Sequence, residues 1–251
     1  MASKSKRSTR STPSKTKRTG KVKVVKERVQ DRFEIEAPEM WEDYQLDFIK
    51  TCLNGDTKIV FLNGPAGSSK TFMSTFVGLK LLQQRSVSEF VYVRTLAESA
   101  SKGLGFLPGE YANKFEPYIM PLRDKLDEFL PKEAADSLLA SNMKGFPVNF
   151  LRGSSFNNTF MLVDESQNFT FKELVTVITR LGKHSKFIIC GDSMQSDING
   201  KSGFLKLLNL FTGPDSIENG IRTFEFGVDK VMRSEQCKFI LEKLQELENL
   251  K

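Results

Sequence analysis

The chain has 251 residues, of which 39% are hydrophobic and 27% are charged, so it can bury the core of one α/β domain with short appendages. No stretch approaches the roughly 20 consecutive apolar residues of a membrane helix, and no apolar run near the N-terminus is typical of a signal peptide, so we expect no membrane association. Three scattered cysteines and one histidine, His184, argue against a zinc site and favour reduced thiols in a cytoplasmic protein.

The formal net charge of +6 is unevenly distributed along the chain. Residues 1–28 contain 11 Lys and Arg residues and one acidic residue, whereas the remainder contains 26 basic and 30 acidic residues. Residues 1–30 are also poor in apolar side chains, so burial cannot offset the entropy of ordering them, and we predict a disordered basic arm. We expect this arm to bind the phosphates of RNA or single-stranded DNA; a transit peptide and a tail without a target are the alternatives.

Residues 31–251 are predicted to form one domain in which strands and helices alternate. In chain order, the pattern predicts a helix over residues 41–53, a strand over 58–62, a helix over 70–84, a strand over 89–93, a glycine-containing loop over 103–109, helices within 111–141 that break near Pro131, strands over 148–151 and 159–163, a helix over 170–181, a strand over 186–190, a helix over 204–211, a strand over 222–226 and a helix over 234–247. This alternation indicates an α/β fold with a mostly parallel, doubly wound sheet and helices on both faces.

The first candidate site is the loop GPAGSSKT between the strand at 58–62 and the helix at 70–84. It consists of Gly64, Pro65, Ala66, Gly67, Ser68, Ser69, Lys70 and Thr71. A strand, this loop and a helix together are typical of a Walker A loop, in which backbone N–H groups and the helix N-terminus bind phosphates. The pattern therefore predicts an ATP site in which Lys70 neutralises the β- and γ-phosphates and Thr71 binds Mg²⁺.

Ser69 departs from the Walker A pattern, which has glycine at this position. A residue with a Cβ atom there is expected to adopt a left-handed backbone, at a cost of roughly 1–2 kcal/mol. Because Gly64, Gly67, Lys70 and Thr71 are retained, we expect nucleotide binding to persist, either weakened or with a slightly altered loop.

Polar residues follow two further predicted strands. Asp164 and Glu165 end the strand at 159–163, about 90 residues after the Walker A loop, where the first acid of a P-loop protein binds Mg²⁺ and the second can orient or deprotonate the attacking water. Gln195 follows the strand at 186–190 in the sequence GDSMQ. Because ligands gather at the carboxyl ends of parallel strands, Gln195 is expected near the γ-phosphate or the water, with an ordinary turn as the alternative.

Taken together, these motifs resemble the PhoH family, whose ATPase core is related to the first domain of superfamily 1 helicases. The resemblance covers about residues 40–245 and is carried by GPAGSSKT, LGFLPGEYANKFEPYIMPLRDKL, FLRGSSFNNTFMLVDESQN and GDSMQSDI. It implies a single RecA-like P-loop NTPase domain, ATP hydrolysis and a ring-shaped homo-oligomer such as a hexamer.

The resemblance also implies roles for residues outside the three motifs. Gln45 resembles the glutamine that recognises adenine in helicases, and a solvent-facing side chain is the alternative. Arg233 resembles the late arginine that reaches a γ-phosphate, and a surface charge is the alternative. With no second domain in the chain, we expect Arg233 to act on a neighbouring subunit. Arg152 matches the arginine of the family's Arg-Gly pair, but the sequence does not indicate a role for it.

The leading hypothesis is that the protein is an oligomeric ATPase that acts on nucleic acid, with RNA as the favoured partner. A nucleotide-dependent interaction module that remodels nothing is the alternative from another class, and stimulation of hydrolysis by nucleic acid would separate the two. A small-molecule kinase is less well supported, because Glu165 beside the metal-binding acid suits activation of water.

Overall fold

A computed structural model describes residues 33–95, 111–151, 153, 155–198 and 200–249. The basic arm of residues 1–30, the glycine-containing loop over 103–109 and Arg152 lie outside the described residues. The predictions made for these three segments therefore stay predictions.

Helices and strands alternate through the described residues, as the sequence pattern predicts. Their bounds are α1 Asp43–Leu53, β1 Ile59–Asn63, α2 Lys70–Gln83, β2 Glu89–Arg94, α3 Tyr111–Leu126, α4 Lys132–Ser141, β3 Met143–Phe146, β4 Thr159–Asp164, α5 Phe171–Ile178, β5 Lys186–Gly191, α6 Phe204–Leu210, α7 Pro214–Glu218, β6 Ile221–Glu225 and α8 Glu235–Asn249. The predicted break near Pro131 separates α3 from α4 and is confirmed.

The strands form one six-stranded sheet in the order β3-β2-β4-β5-β1-β6, and every described pair is parallel. All six carboxyl ends consequently lie along the same edge. Strand β5 lies between β1, which precedes the Walker A loop, and β4, which ends in Asp164. The prediction of a mostly parallel α/β sheet is confirmed, and the three predicted motifs follow three neighbouring strands.

Successive side chains of a strand point to opposite faces of the sheet, and apolar side chains cover both faces. In β4, Phe160 and Leu162 pack into an apolar cluster shared with α1, α2, α3 and α4, whereas Met161 and Val163 pack into a second cluster shared with α5 and α6. Each cluster covers one face. The predicted placement of helices on both faces is therefore confirmed, and the chain has the RecA-like P-loop arrangement that the motifs indicate.

The region between α4 and β4 differs from the prediction. The strand predicted over residues 148–151 is wrong, because this segment is a 3-10 helix, and the strand lies instead at Met143–Phe146. Val148 and Leu151 are both buried, and a spacing of three places them on one side of a 3-10 turn. The short β3 pairs only with β2, at the edge of the sheet, and its four residues MKGF lack the continuous apolar run of the central strands β4 and β5.

The cysteines differ in burial. All three are free; Cys52 and Cys190 are buried, as expected for reduced thiols in the core, whereas Cys237 is partly exposed. Burial raises the pKa of the Cys190 thiol to about 12. His184 is exposed. None of the helices within the described ranges combines the length and apolar character that a membrane span requires.

The packing of α2 on the sheet depends on Gly78. A Cβ atom at this position would approach ring atoms of Phe90 and Phe160 to 2.5 Å, and these two fully buried rings meet edge to face with their centroids 4.8 Å apart. Gly78→Ala should therefore lower the free energy of unfolding by about 1–3 kcal/mol through overpacking, even though alanine favours the helix.

Urea denaturation measures this effect, with Gly55→Ala as the matched control. Gly55 lies in a turn, and a Cβ atom added there would meet nothing within 4 Å beyond its own chain neighbours. Its replacement should change the free energy of unfolding by no more than about 0.5 kcal/mol. Equal effects of the two substitutions would contradict the close approach of α2 to the sheet.

Candidate functional site

A cavity of about 610 Å³ opens at the carboxyl edge of the sheet. Ten of the residues predicted from the sequence line it, namely Gln45, Ala66, Gly67, Ser69, Lys70, Thr71, Asp164, Glu165, Gln195 and Arg233. Gly64, Pro65 and Ser68, the other residues of the Walker A loop, are not part of this lining. Apolar side chains also line the cavity, among them Trp41 and Phe72, whose ring centroids are 5.6 Å apart. The lining therefore combines charged and apolar side chains.

The Walker A loop curves around the N-terminus of α2, which begins at Lys70. Lys70 Nζ donates hydrogen bonds to the carbonyl oxygens of Gly64 and Pro65, at 2.6 and 2.9 Å. The hydroxyl of Ser68, fully buried, donates to the carbonyl of Pro65 at 2.8 Å and ties the loop to itself. A cation and the first turn of a helix thus face the same loop, an arrangement that binds phosphate.

Ser69 has the left-handed backbone that the sequence predicts, with φ 61° and ψ 20°. Its side chain makes no capping hydrogen bond to the helix, and its hydroxyl contacts the sulfur of Met232 at 3.3 Å. A hydrogen bond to a thioether is weak. Ser69 therefore carries the backbone strain of a residue with a Cβ atom without a strong compensating contact.

Asp164 ends β4 beside Thr71 and is buried. Its Oδ1 accepts hydrogen bonds from the Thr71 hydroxyl and from the backbone N–H of Glu165, both at 3.1 Å, and its Oδ2 accepts from the Tyr92 hydroxyl at 2.7 Å. Burial, followed by the charge of Asp164, raises the pKa of Tyr92 well above its ordinary value, so this phenol remains a donor at neutral pH. The Thr71 hydroxyl and the Asp164 carboxylate form a pair of oxygen ligands of the kind that Mg²⁺ prefers.

Glu165 follows directly and turns towards the cavity with a left-handed backbone, φ 54°. Its Oε2 accepts a hydrogen bond from Gln167 Nε2 at 2.6 Å, and its Oε1 lies 3.6 Å from a guanidinium nitrogen of Arg94. Sequence reasoning assigned no role to Arg94 or Gln167. Gln167 is visible in the sequence as part of DESQN, but the contact with Arg94 depends on the pairing of β2 with β4.

The loop after β5 is tied to the Walker A loop by Asp192, which is buried and was also missed. Its Oδ2 accepts from the backbone N–H of Ala66 at 3.1 Å, and its own N–H donates to Gln167 Oε1 at 3.0 Å. Gln195, three residues on, is exposed and lines the cavity. The structure therefore places Gln195 at the predicted edge, with Asp192 as the anchor of its loop.

Gln45 and Arg233 approach the cavity from outside the sheet. Gln45 is only 4% exposed, with Oε1 accepting from the backbone N–H of Glu42 at 3.0 Å and Nε2 contacting Met232 Sδ at 3.3 Å, so the solvent-facing alternative is wrong. The side chain of Arg233 lies over Gly67 of its own chain, where an added Cβ atom would meet Nε at 2.8 Å. Arg233 therefore lies beside the Walker A loop of its own chain, and its expected action on a neighbouring subunit stays a prediction.

A strand, a phosphate-binding loop with Lys and Thr, and an acidic strand end on a nearby strand define the class of nucleotide-binding P-loop NTPases. Within this class, a family model described as PhoH-like protein matches residues 41–245, and the chain belongs to the PhoH-like family. The family expected from the motifs is thus confirmed.

Individual relatives agree with this assignment. The chain is 36% identical over 155 residues to a PhoH-like protein of Synechocystis sp., covering 61% of this chain and 46% of the relative. It is 30% identical over 199 residues to Protein PhoH of Escherichia coli, covering 77% of this chain and 54% of the relative. The chain thus spans about half the length of these relatives. A solved structure of Pif1 helicase from Candida albicans matches at 15% identity with a TM-score of 0.36, over 75% of this chain and 40% of that one.

The strained backbone of Ser69 leads to a prediction. Ser69→Gly should raise the free energy of unfolding by up to about 1 kcal/mol, because relief of the left-handed strain exceeds the added flexibility of glycine in the unfolded chain. ATP affinity should be retained or increased. Urea denaturation and titration with a fluorescent ATP analogue measure the two effects.

His184→Gly is the matched control for Ser69→Gly. His184 also has a positive φ, 56°, but is exposed and does not line the cavity, so the substitution should relieve similar strain without altering ATP affinity. A clear loss of ATP binding in Ser69→Gly alone would mean that the serine hydroxyl contacts the nucleotide.

Proposed function

We propose that this protein binds ATP with Mg²⁺ and hydrolyses it. The observation that carries the proposal is the meeting of Lys70 and Thr71 with Asp164 and Glu165 at one cavity, with the Thr71 hydroxyl 3.1 Å from the Asp164 carboxylate. A phosphate-binding loop, a pair of metal ligands and a further carboxylate are the parts that hydrolysis of a phosphoanhydride requires.

The charged residues at the Walker A loop would hold the triphosphate. Lys70 and the N-terminus of α2 bind the negative charge of the triphosphate. Thr71 and Asp164 supply two oxygen ligands for Mg²⁺, which at phosphate sites usually takes few of its ligands from the protein. Bound there, Mg²⁺ would neutralise charge on the phosphate oxygens. Arg233, lying over Gly67, adds a second cation from the same chain.

Glu165 is proposed as the general base for the attacking water, and Gln195 as a residue that orients this water or contacts the γ-phosphate. Glu165 lines the cavity one residue beyond the metal-binding acid and is half exposed, so its carboxylate can meet a water molecule. Asp164 is unsuited to this role because both of its oxygens accept hydrogen bonds from protein donors.

The aromatic residues of the cavity lining would hold the nucleoside. Trp41 lies beside Phe72, with their ring centroids 5.6 Å apart, and offers an aromatic surface for a base. Gln45 lies four residues further along the chain and also lines the cavity; its Oε1 accepts the N–H of Glu42, whereas its Nε2 contacts a thioether sulfur, a weak acceptor that a base could replace. We propose that Gln45 recognises adenine, which would favour ATP over GTP.

Two substitutions test the hydrolysis. Lys70→Ala should abolish turnover and greatly weaken ATP binding, because the phosphates lose their main cation. Glu165→Gln should keep ATP affinity within about threefold and lower kcat by about 100-fold or more, because the amide keeps the shape and cannot accept a proton. Phosphate release and titration of a fluorescent ATP analogue measure both parameters.

Lys80→Ala is the matched control, since Lys80 lies on the same helix as Lys70 and outside the cavity lining, so both parameters should stay at wild-type values. Wild-type turnover in Lys70→Ala would contradict the Walker A assignment. A loss of ATP binding in Glu165→Gln, with normal turnover per bound ATP, would make Glu165 a structural or metal-binding residue.

We also propose that hydrolysis is coupled to RNA or single-stranded DNA, and that the protein works as a homo-oligomeric ring such as a hexamer. The support for nucleic acid is the basic arm, in which residues 1–28 hold 11 basic residues and one acidic residue. The alternative is an interaction module that binds ATP without remodelling a partner. Nucleic acid would not stimulate the ATP turnover of such a module.

Turnover measured with and without single-stranded RNA and DNA tests the coupling. Removal of residues 1–30 should leave basal turnover unchanged and lower nucleic-acid affinity. The contribution of the arm to this affinity should fall steeply as the salt concentration rises, because it reflects counterion release. A variant with a neutral Gly/Ser arm of equal length is the control for chain length. Unchanged affinity at low salt would contradict a role for the arm, and equal turnover with and without nucleic acid would favour the interaction module.

A further inference from the structure

Gln167 occupies a central position behind the proposed general base. It lies in the 3-10 helix Ser166–Asn168 and is 2% exposed. Its Oε1 accepts the backbone N–H of Asp192 at 3.0 Å, and its Nε2 donates to Glu165 Oε2 at 2.6 Å. A backbone N–H can only donate, so the amide oxygen must face Asp192 and the amide nitrogen must face Glu165. The orientation of this amide is therefore determined by its partners.

The hydrogen bonds continue from Gln167 to the Walker A loop. Asp192 Oδ2 accepts the backbone N–H of Ala66 at 3.1 Å, so Ala66, Asp192, Gln167 and Glu165 form one connected path. The backbone carbonyl of Gln167 also accepts a hydrogen bond from the Ser196 hydroxyl at 3.1 Å, which joins the 3-10 helix to the loop that carries Gln195. A displacement of the phosphate-binding loop would thus be transmitted to Glu165 through this hydrogen-bonded path.

We infer that Gln167 is a positioning residue that orients Glu165 for attack on the γ-phosphate by water and links this orientation to the Walker A loop through Asp192. The inference rests on the proposed hydrolysis. The amide holds Oε2, whereas the partner of Oε1 is the more distant Arg94. Arg94 is a weaker restraint, because it lies 3.6 Å from Oε1 and both side chains are partly exposed, 29% and 41%, so solvent screens the pair.

The position requires an uncharged side chain with one donor and one acceptor. Glutamate has the same shape and can still accept the N–H of Asp192, but it places a second carboxylate against Glu165, where the native contact is 2.6 Å. Two carboxylates at this distance repel each other, so Glu165 would lose the contact that holds its Oε2. Methionine has a similar length and lacks both hydrogen-bonding functions.

Gln167→Glu gives the sharper test. We expect kcat at pH 7 to fall at least about tenfold while ATP affinity stays within about threefold, because the base is affected and the phosphate site is not. The substituted glutamate keeps the acceptor for the N–H of Asp192 and loses only the donor to Glu165, so a fall in kcat at unchanged ATP affinity and unfolding temperature isolates the contact with Glu165.

Gln167→Met is the second variant, and it should also lower kcat, because it removes the donor to Glu165 without adding a charge. Asn168→Ala is the matched control, because the neighbouring amide of Asn168 pairs with Asp197 and not with Glu165, so kcat should match the wild type. Unfolding temperatures and the affinity of a fluorescent ATP analogue are measured on the same preparations.

The outcomes separate this inference from the proposed function. A wild-type kcat in Gln167→Glu, in a protein whose Glu165→Gln variant is inactive, would overturn the role of Gln167 alone. A parallel loss of kcat, ATP affinity and thermal stability in both Gln167 variants would also overturn it and indicate a purely structural residue. Absence of ATP turnover in the wild-type protein would overturn both proposals.

Discussion

The site depends on one buried carboxylate, that of Asp164. Taking a carboxylate out of water costs several kcal/mol unless it accepts hydrogen bonds, and here three protein donors offset that cost: the hydroxyls of Thr71 and Tyr92 and the backbone N–H of Glu165. These donors come from α2, from β2 and from the turn after β4. The carboxylate therefore ties the Walker A helix to two strands and holds the metal-binding pair in place, while the apolar clusters on both faces of the sheet supply the stability that a polar site of this kind requires.

Two residues of the site have left-handed backbones although neither is glycine. Ser69 immediately precedes Lys70, and Glu165 immediately follows Asp164, so each lies beside a residue that the proposed chemistry uses. Such conformations cost on the order of 1–3 kcal/mol each and persist where the surroundings impose them. For Glu165 the turn redirects the chain so that successive carboxylates serve different purposes: Asp164 faces Thr71, and Glu165 faces the cavity. For Ser69 the same conformation closes the loop at the start of α2.

The connections among the motifs explain how nucleotide binding and chemistry can be coupled within one domain. Asp192 joins the loop after β5 to the Walker A loop, Gln167 joins Asp192 to Glu165, and Arg233 lies over Gly67 within the same chain. The groups that the proposed hydrolysis uses thus lie around one cavity.

The sequence alone determined the features that depend on local order along the chain. The strand, loop and helix around Lys70 follow from a continuous pattern of apolar, glycine and polar residues, and the left-handed Ser69 follows from its place in that pattern. The pair Asp164 and Glu165 is equally local, because a buried strand that ends in acids is visible as such. Only the tertiary structure showed that 148–151 is a 3-10 helix, that Gln45 is buried, and that Arg94, Gln167 and Asp192 lie around Glu165. The physical reason is that these contacts join side chains from different strands, loops and helices. The strand order, with β5 between β1 and β4, decides which of these groups become neighbours, and that order results from packing across the whole sheet.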